Sequence, residues 1–178
     1  MPIAMESIPL LIDKNRGKAI EKLDVALNQV KEGLNSIRNS VKTLKHGETK
    51  KMGDEIREFI DITTQSTGLK INLIDEQKGE ILPIHQNILM LSIKECITNS
   101  LKHGNSTEAD ILIQEHQGKL QLTVSDNGTG TDNLIYGFGL VTMRERVESV
   151  GGVIRVDSNK DDGFTVNISL PIRNSGVN

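Results

Sequence analysis

The sequence predicts an α+β fold: one mixed sheet covered by helices on one face, preceded by a long heptad-patterned helix. Three observations carry that expectation. Apolar residues recur at alternating three- and four-residue steps from Ile20 to Leu44. Beyond residue 50, short segments of strand character pair around glycine-containing turns, as hairpins do. Longer segments with helical spacing separate them, and such an order makes one sheet with its helices on one side.

Bulk composition narrows the classes. With 178 residues, the chain holds one ordinary domain plus a helical appendage. Aromatic residues make up 2% and there is no Trp, so the core must be built from Ile, Leu and Val. A net charge of -3 offers no general attraction to nucleic acid or anionic lipid, so any phosphate site must be local and no nucleic-acid partner is expected. Cys96, the one cysteine, excludes an internal disulfide and suits a reducing cytoplasm. No apolar run approaches the ~18 residues of a membrane span, and nothing at the N-terminus reads as a secretory signal. A cytoplasmic location follows as the expectation, with any membrane anchor elsewhere in a longer parent protein.

Pro2, Pro9 and Gly17 mark residues 1 to about 17 as a loose lead-in. Ile20, Leu23, Leu27, Val30, Leu34, Ile37, Val41 and Leu44 then form an a/d seam on an otherwise polar helix. One helix cannot bury such a stripe alone, and the strict repeat favours a bundle over a helix lying on its own domain. His46-Gly47 ends it, dividing the chain into residues 1–47 and a second domain over 48–178. Ile56, Phe59, Ile60 and Thr63 mark a short helix that stops at Gly68, and residues 69–75 alternate as a strand. Pro83 opens a helix running to about His103. Residues 111–115 and 120–125 make a hairpin around Gln117-Gly118. A glycine-rich stretch over 128–139 precedes a helix ending at Gly151-Gly152, and residues 153–157 and 164–170 close the domain as a second pair.

The helix from Pro83 has two apolar sides. Leu89, Met90, Ile93, Cys96, Ile97 and Leu101 cluster on the side expected to face the sheet. On the other, Ile84, Ile88 and Leu91 give way to Glu95, Asn99 and Lys102. Burying such groups without partners would cost several kcal/mol, so a cavity, a metal or solvent must meet them. A carboxylate can orient or deprotonate a nucleophile, and an amide oxygen can ligate Mg²⁺. Taken alone, that pair is better read as a simply solvated face near the helix end, since such pairs are common.

Two glycine loops follow. Asp126-Asn127-Gly128-Thr129-Gly130 ends a strand and places a carboxylate at the mouth of the sheet, although Asn-Gly also signals an ordinary tight turn. Gly137-Phe138-Gly139-Leu140 opens a helix, where unpaired amides and the positive dipole end suit an anion. There is no GxxxxGK[ST] loop and no Rossmann G-x-G-x-x-G turn in a βαβ setting.

Taken in order, E-C-I-T-N (Glu95 to Asn99), D-N-G-T-G (Asp126 to Gly130), G-F-G-L (Gly137 to Leu140) and G-F-T (Gly163 to Thr165) resemble the N, G1 and G2 boxes of the GHKL ATPase superfamily. The short interval between glycine boxes, the G-L-x-x-M-R-E-R-V helix and the closing G-G-x-I-x-V…G-F-T-V-x-I-x-L-P pair are most similar to the nitrate-sensor and DesK-type sensor histidine kinases, over residues 50–172. The resemblance implies the Bergerat two-layer α/β sandwich and a catalytic module that binds ATP with Mg²⁺. By it, Asp126 would bind the adenine amino group with support from Thr165. Asn99 would hold Mg²⁺, Glu95 would act as base, and Lys102 and His103 would reach phosphates. Gly128, Gly130, Gly137 and Gly139, with Leu140, would shape a short lid over residues 131–137. His103 at a helix C-terminus is also electrostatically content without a ligand.

The family phosphorylates a histidine usually followed by an acidic residue. Here His46, His85, His103 and His116 precede Gly or Gln, so the phosphoacceptor histidine is expected on a dimerisation helix outside this chain, with truncation favoured as the cause. The partners implied are that histidine, the parent kinase's response regulator and a second copy in a homodimer. The alternatives are an anti-sigma-factor type serine kinase, which the dimerisation-type helix argues against, and a non-catalytic ATP-binding regulatory module, which intact Glu95 and Asn99 argue against. A plain dimerisation domain leaves the ordered boxes unexplained.

Overall fold

Helix α1 (Met52–Thr67) ends because Gly68 adopts a left-handed conformation, φ 78°, and donates its N–H to the Thr64 carbonyl at 2.9 Å. The computed structural model describes residues 51–172, so the lead-in, the heptad seam from Ile20 to Leu44 and His46 lie outside the described residues. Strand β1 (Lys70–Asp75) follows, then helix α2 (Pro83–Asn99), where Pro83 sits in the first turn and needs no intrahelical donor. Strands β2 (Glu108–His116) and β3 (Lys119–Asp126) turn on Gln117 and Gly118, with φ of 51° and 70°. Two consecutive positive φ angles suit the twist of a two-residue hairpin. Helix α3 (Phe138–Ser149), strand β4 (Val153–Ser158) and strand β5 (Phe164–Pro171) complete the order.

The strands form one sheet in the order β1-β2-β3-β5-β4. Strands β1 and β2 are parallel, so α2 is their crossover, and every other pair is antiparallel. Register decides which residues share a face. Ile111 pairs with Val124 and Val124 with Val166, and all three are buried under the helices beside Leu122, Ile168 and Leu170. Ile93 and Ile97 of α2, Ile56 of α1, and Met143 and Val147 of α3 close that core from above. The sheet is thus covered by helices on one face, as its alternating strands and striped helices require.

One departure from regularity shapes the molecule. The expected straight helix to His103 becomes, at Ser100–Gly104, a single π turn, ended by Asn105 at φ 50°. A π turn accommodates an extra residue and so shifts the helical phase. Leu101, expected on the core side, is 38% exposed, whereas Ser100 is 2% exposed. The straight-helix spacing fails here because it assumes a constant step through Gly104.

This register has a measurable signature. Ile97→Ala should cost about 2–5 kcal/mol in urea unfolding, as a truncation in a closed core does. Leu101→Ala should cost less than about 1 kcal/mol. Equal losses would restore the straight helix.

Candidate functional site

Asp126 is the last residue of β3, paired with Ala109 on one side and Phe164 on the other. Its Oδ2 accepts the Ser100 hydroxyl at 2.6 Å, and its Oδ1 accepts the Ser106 hydroxyl at 3.0 Å and the Gly128 N–H at 2.8 Å. Asn127 fastens the same corner from outside: its Oδ1 accepts the N–H groups of Thr107 and Glu108 at 2.9 and 3.0 Å. The Thr129 N–H donates to the Gly104 carbonyl at 2.8 Å. The loop after α2 and the loop after β3 are therefore bound to one another along their length.

Sterics explain the glycines. A Cβ on Gly128 would lie 2.5 Å from both the Gly104 carbonyl oxygen and the Ser106 Oγ, so a side chain there would force the two loops apart. Gly163 has φ +71° and a Cβ on it would overlap the Asp126 carbonyl oxygen. Gly130, also left-handed at φ +56°, passes against the Asn159 carbonyl. Gly137 differs: it is the N-cap of α3 in extended conformation, and a Cβ there would meet nothing within 4 Å. The local geometry at that position does not demand glycine.

Glu95 and Asn99 project one turn apart from α2, with the Asn99 amide donating to Glu95 Oε1 at 3.2 Å. The Asn99 Oδ1 is left for another partner. Gly139, in the first turn of α3, lies directly against the Glu95 carboxylate, which its absent side chain would overlap. Buried Leu140, 7% exposed, anchors that turn to the core. The Glu95 carboxylate and the positive end of α3 are thus neighbours, an arrangement favourable to the negative charge. Among the described residues no cluster of three or more His, Cys, Asp or Glu could cage a metal ion. A cation here would draw on the Asn99 carbonyl, water and a ligand's own oxygens, a donor set that suits Mg²⁺.

Other expected residues fall elsewhere. Lys102 and His103 are exposed on the π turn and make no ion pair or hydrogen bond among the described residues. Thr165 is corrected: it pairs with Ser125 and Asp157, one step out of register with Asp126. Successive strand residues point to opposite faces, so Phe164 shares Asp126's side of the sheet and Thr165 faces the uncovered side. That side carries an open groove lined by Gln121, Thr123, Val153, Arg155, Asp157, Asn167 and Ser169 among others. The segment 131–137 is tied to the β4–β5 loop at its start, through Thr131 N–H to Ser158 Oγ at 3.0 Å and Lys160 N–H to Asp132 Oδ1 at 3.0 Å. Its far end is more open, with Ile135 84% exposed and Tyr136 stacked under Arg144 at 4.3 Å.

Sequence reasoning passed over Ser100, Ser106 and Asn127. A signal existed for the first: Ser100 follows Cys96 by four residues on the core-facing stripe, where a hydroxyl needs a partner. Nothing local marked Ser106, whose partner lies 20 residues away. Cys96, one turn before Ser100, is itself buried. Burial first, and the nearby Glu95 and Asp126 carboxylates second, push its thiol far above the usual thiol range.

A sheet of this topology, with its acidic strand end and its carboxylate–amide helix under a glycine-bounded segment, defines an ATPase-type nucleotide domain. The family model described as histidine kinase-, DNA gyrase B-, and HSP90-like ATPase matches residues 84–174, from the first turn of α2 past the end of β5, and the chain belongs to that family. Within it, this is a catalytic domain of the sensor histidine kinase kind. It is 27% identical over 158 residues to the sensor histidine kinase LnrJ of Bacillus subtilis, covering 88% of this chain and 40% of LnrJ. It is 29% identical to the sensor histidine kinase DesK of the same organism, covering 90% of this chain and 43% of DesK. Identity to the Escherichia coli nitrate/nitrite sensor protein NarX is 31%, over 58% of this chain and 18% of NarX. The chain therefore spans less than half the length of these relatives. The histidine kinase domain of the Erythrobacter litoralis EL346 blue-light activated histidine kinase shares the fold, with a TM-score of 0.56 at 20% identity over 68% of this chain and 61% of that one. No helix of the described residues is long and apolar enough to cross a membrane.

Two outcomes follow from this geometry. Gly163→Ala should destabilise the domain by more than about 2 kcal/mol in urea unfolding, combining left-handed strain with the Asp126 overlap. Gly137→Ser, a favourable N-cap, should stay within about 0.5 kcal/mol of the parent. Separately, Cys96 should resist a thiol-specific disulfide reagent at pH 8 and react only in denaturant, and rapid native labelling would contradict its burial.

Proposed function

We propose that this domain binds ATP with Mg²⁺ and transfers the γ-phosphoryl group to a protein histidine. The observation that carries this is the hydrogen bond from Ser100 to Asp126. It holds the acidic end of β3 against the helix that bears Glu95 and Asn99, so a base-reading carboxylate and a phosphate-end pair share one continuous site. Asp126 accepts a hydrogen bond from the adenine amino group. The free carbonyl of Asn99 would hold Mg²⁺. When bound, that cation neutralises charge on the phosphate oxygens.

The remaining steps belong to the chain's own groups. Unpaired amides at the start of α3 donate to phosphate oxygens, aided by the helix dipole. The cationic Lys102, with His103 beside it, adds electrostatic pull from the π turn. An incoming imidazole nitrogen bonds to the γ-phosphorus as the bond to the β–γ bridging oxygen breaks and ADP leaves. Glu95 orients that imidazole or takes its displaced proton. The segment 131–137 closes over the phosphates and excludes water. Residues 1–47, carrying the Ile20–Leu44 seam, would serve as a dimerisation helix, and residues 48–178 as the catalytic domain. A response regulator receives the phosphoryl group from the modified histidine.

Calorimetric titration with ATP should show binding that depends on Mg²⁺, and Asp126→Asn should weaken it about ten- to a hundredfold, the loss of a hydrogen bond to a charged acceptor. Absence of binding to either protein would overturn the proposal. Glu95→Gln should retain ATP while abolishing transfer to a histidine-bearing dimerisation fragment. Full transfer by that variant would instead favour a role without Glu95 as base.

A further inference from the structure

The Asp126 carboxylate is nearly used up by the protein itself. An ionised carboxylate has about four lone-pair sites. Oδ1 fills two of them with the Ser106 hydroxyl and the Gly128 N–H, and Oδ2 fills one with the Ser100 hydroxyl. One acceptor site remains, on Oδ2. The Ser100 hydroxyl lies 2.6 Å from Oδ2 and 3.0 Å from the Cys96 carbonyl, and its single proton goes to the shorter, charge-assisted bond.

Each partner arrives by a different route. Ser100 caps α2 where the π turn begins and is 2% exposed, so water cannot substitute for its hydroxyl. Ser106 comes from the loop after that turn, and Gly128 from the loop after β3. The carboxylate plane is therefore fixed from three sides, with both rotation and water access restricted. We propose that Ser100 and Ser106 are positioning residues for purine selection, holding Asp126 so that its one open acceptor meets a single N–H of a 6-aminopurine. This rests on the assignment of ATP to the site. Without these hydroxyls, Asp126 would rotate and hydrate, and the amino group would gain little over solvent.

The test compares Mg·ATP with Mg·purine riboside triphosphate, identical except for the missing 6-amino group, by calorimetry on the full chain. The parent protein should favour ATP by about ten- to a hundredfold. Ser100→Ala should cut that preference to about threefold or less while leaving affinity for the purine riboside ligand unchanged, since that ligand makes no use of Oδ2. In an Asp126→Asn background the same substitution should cost no further preference, because its whole effect passes through the carboxylate. Circular dichroism checks folding, and Ser106→Ala, in a loop, provides the decisive variant if Ser100→Ala fails to fold. A preference retained in folded Ser100→Ala, or in Ser106→Ala, overturns the positioning role while leaving ATP binding intact. Equal binding of the two ligands to the parent protein overturns the adenine assignment and this proposal with it.

Discussion

A carboxylate at the end of β3 gathers three stretches of chain that are far apart in sequence. Ser100 closes helix α2, Ser106 leads into β2, and Gly128 follows β3, yet all three donate to Asp126. Two of these donors are buried or half-buried hydroxyls, which would be costly without an acceptor. The acceptor in turn would be costly at that depth without donors. This mutual requirement sets the spacing between the last turn of α2 and the sheet, and through α2 it sets where Glu95 and Asn99 stand.

The glycines matter because this corner is built from backbone touching backbone. Gly128 packs on the Gly104 carbonyl, Gly163 on the Asp126 carbonyl and Gly130 on that of Asn159. Any Cβ at these places would separate loops that hydrogen bonds hold together. Gly139 serves a different purpose, letting α3 start directly beside the Glu95 carboxylate. Two distinct constraints thus appear in the sequence as the same residue, and Gly137 shows that a glycine in the pattern need not answer to either.

The two sides of the sheet divide the work. Its covered side is apolar along β2, β3 and β5 until the last residue of β3, where Asp126 replaces the branched aliphatic side chains before it. The helices above follow the same gradient, from Ile93 and Ile97 to Asn99 and Ser100. A polar site at the edge of the core gains two things from this placement. Its supports are rigid, because each is continuous with packed structure, and its dielectric is low enough to strengthen the few hydrogen bonds it makes.

Much of this was legible in the linear order of residues. Hydrophobic periods of two and 3.6 marked the strands and helices, Gly68 and Gln117-Gly118 marked their ends, and the order of acidic, amide and glycine residues marked Glu95, Asn99 and Asp126 as one constellation. Those signals are local, arising from backbone sterics and from which side of an element meets water. Three features needed the tertiary structure. The π turn moved Leu101 outward, which a fixed helical step cannot anticipate. Strand register placed Phe164, not Thr165, beside Asp126, because a single-residue offset reverses the face and only cross-strand pairing sets it. The Ser106 contact joins residues separated by 20 positions, and no local propensity encodes a hydrogen bond that exists only after two loops have been brought together by the packing of α2 on the sheet.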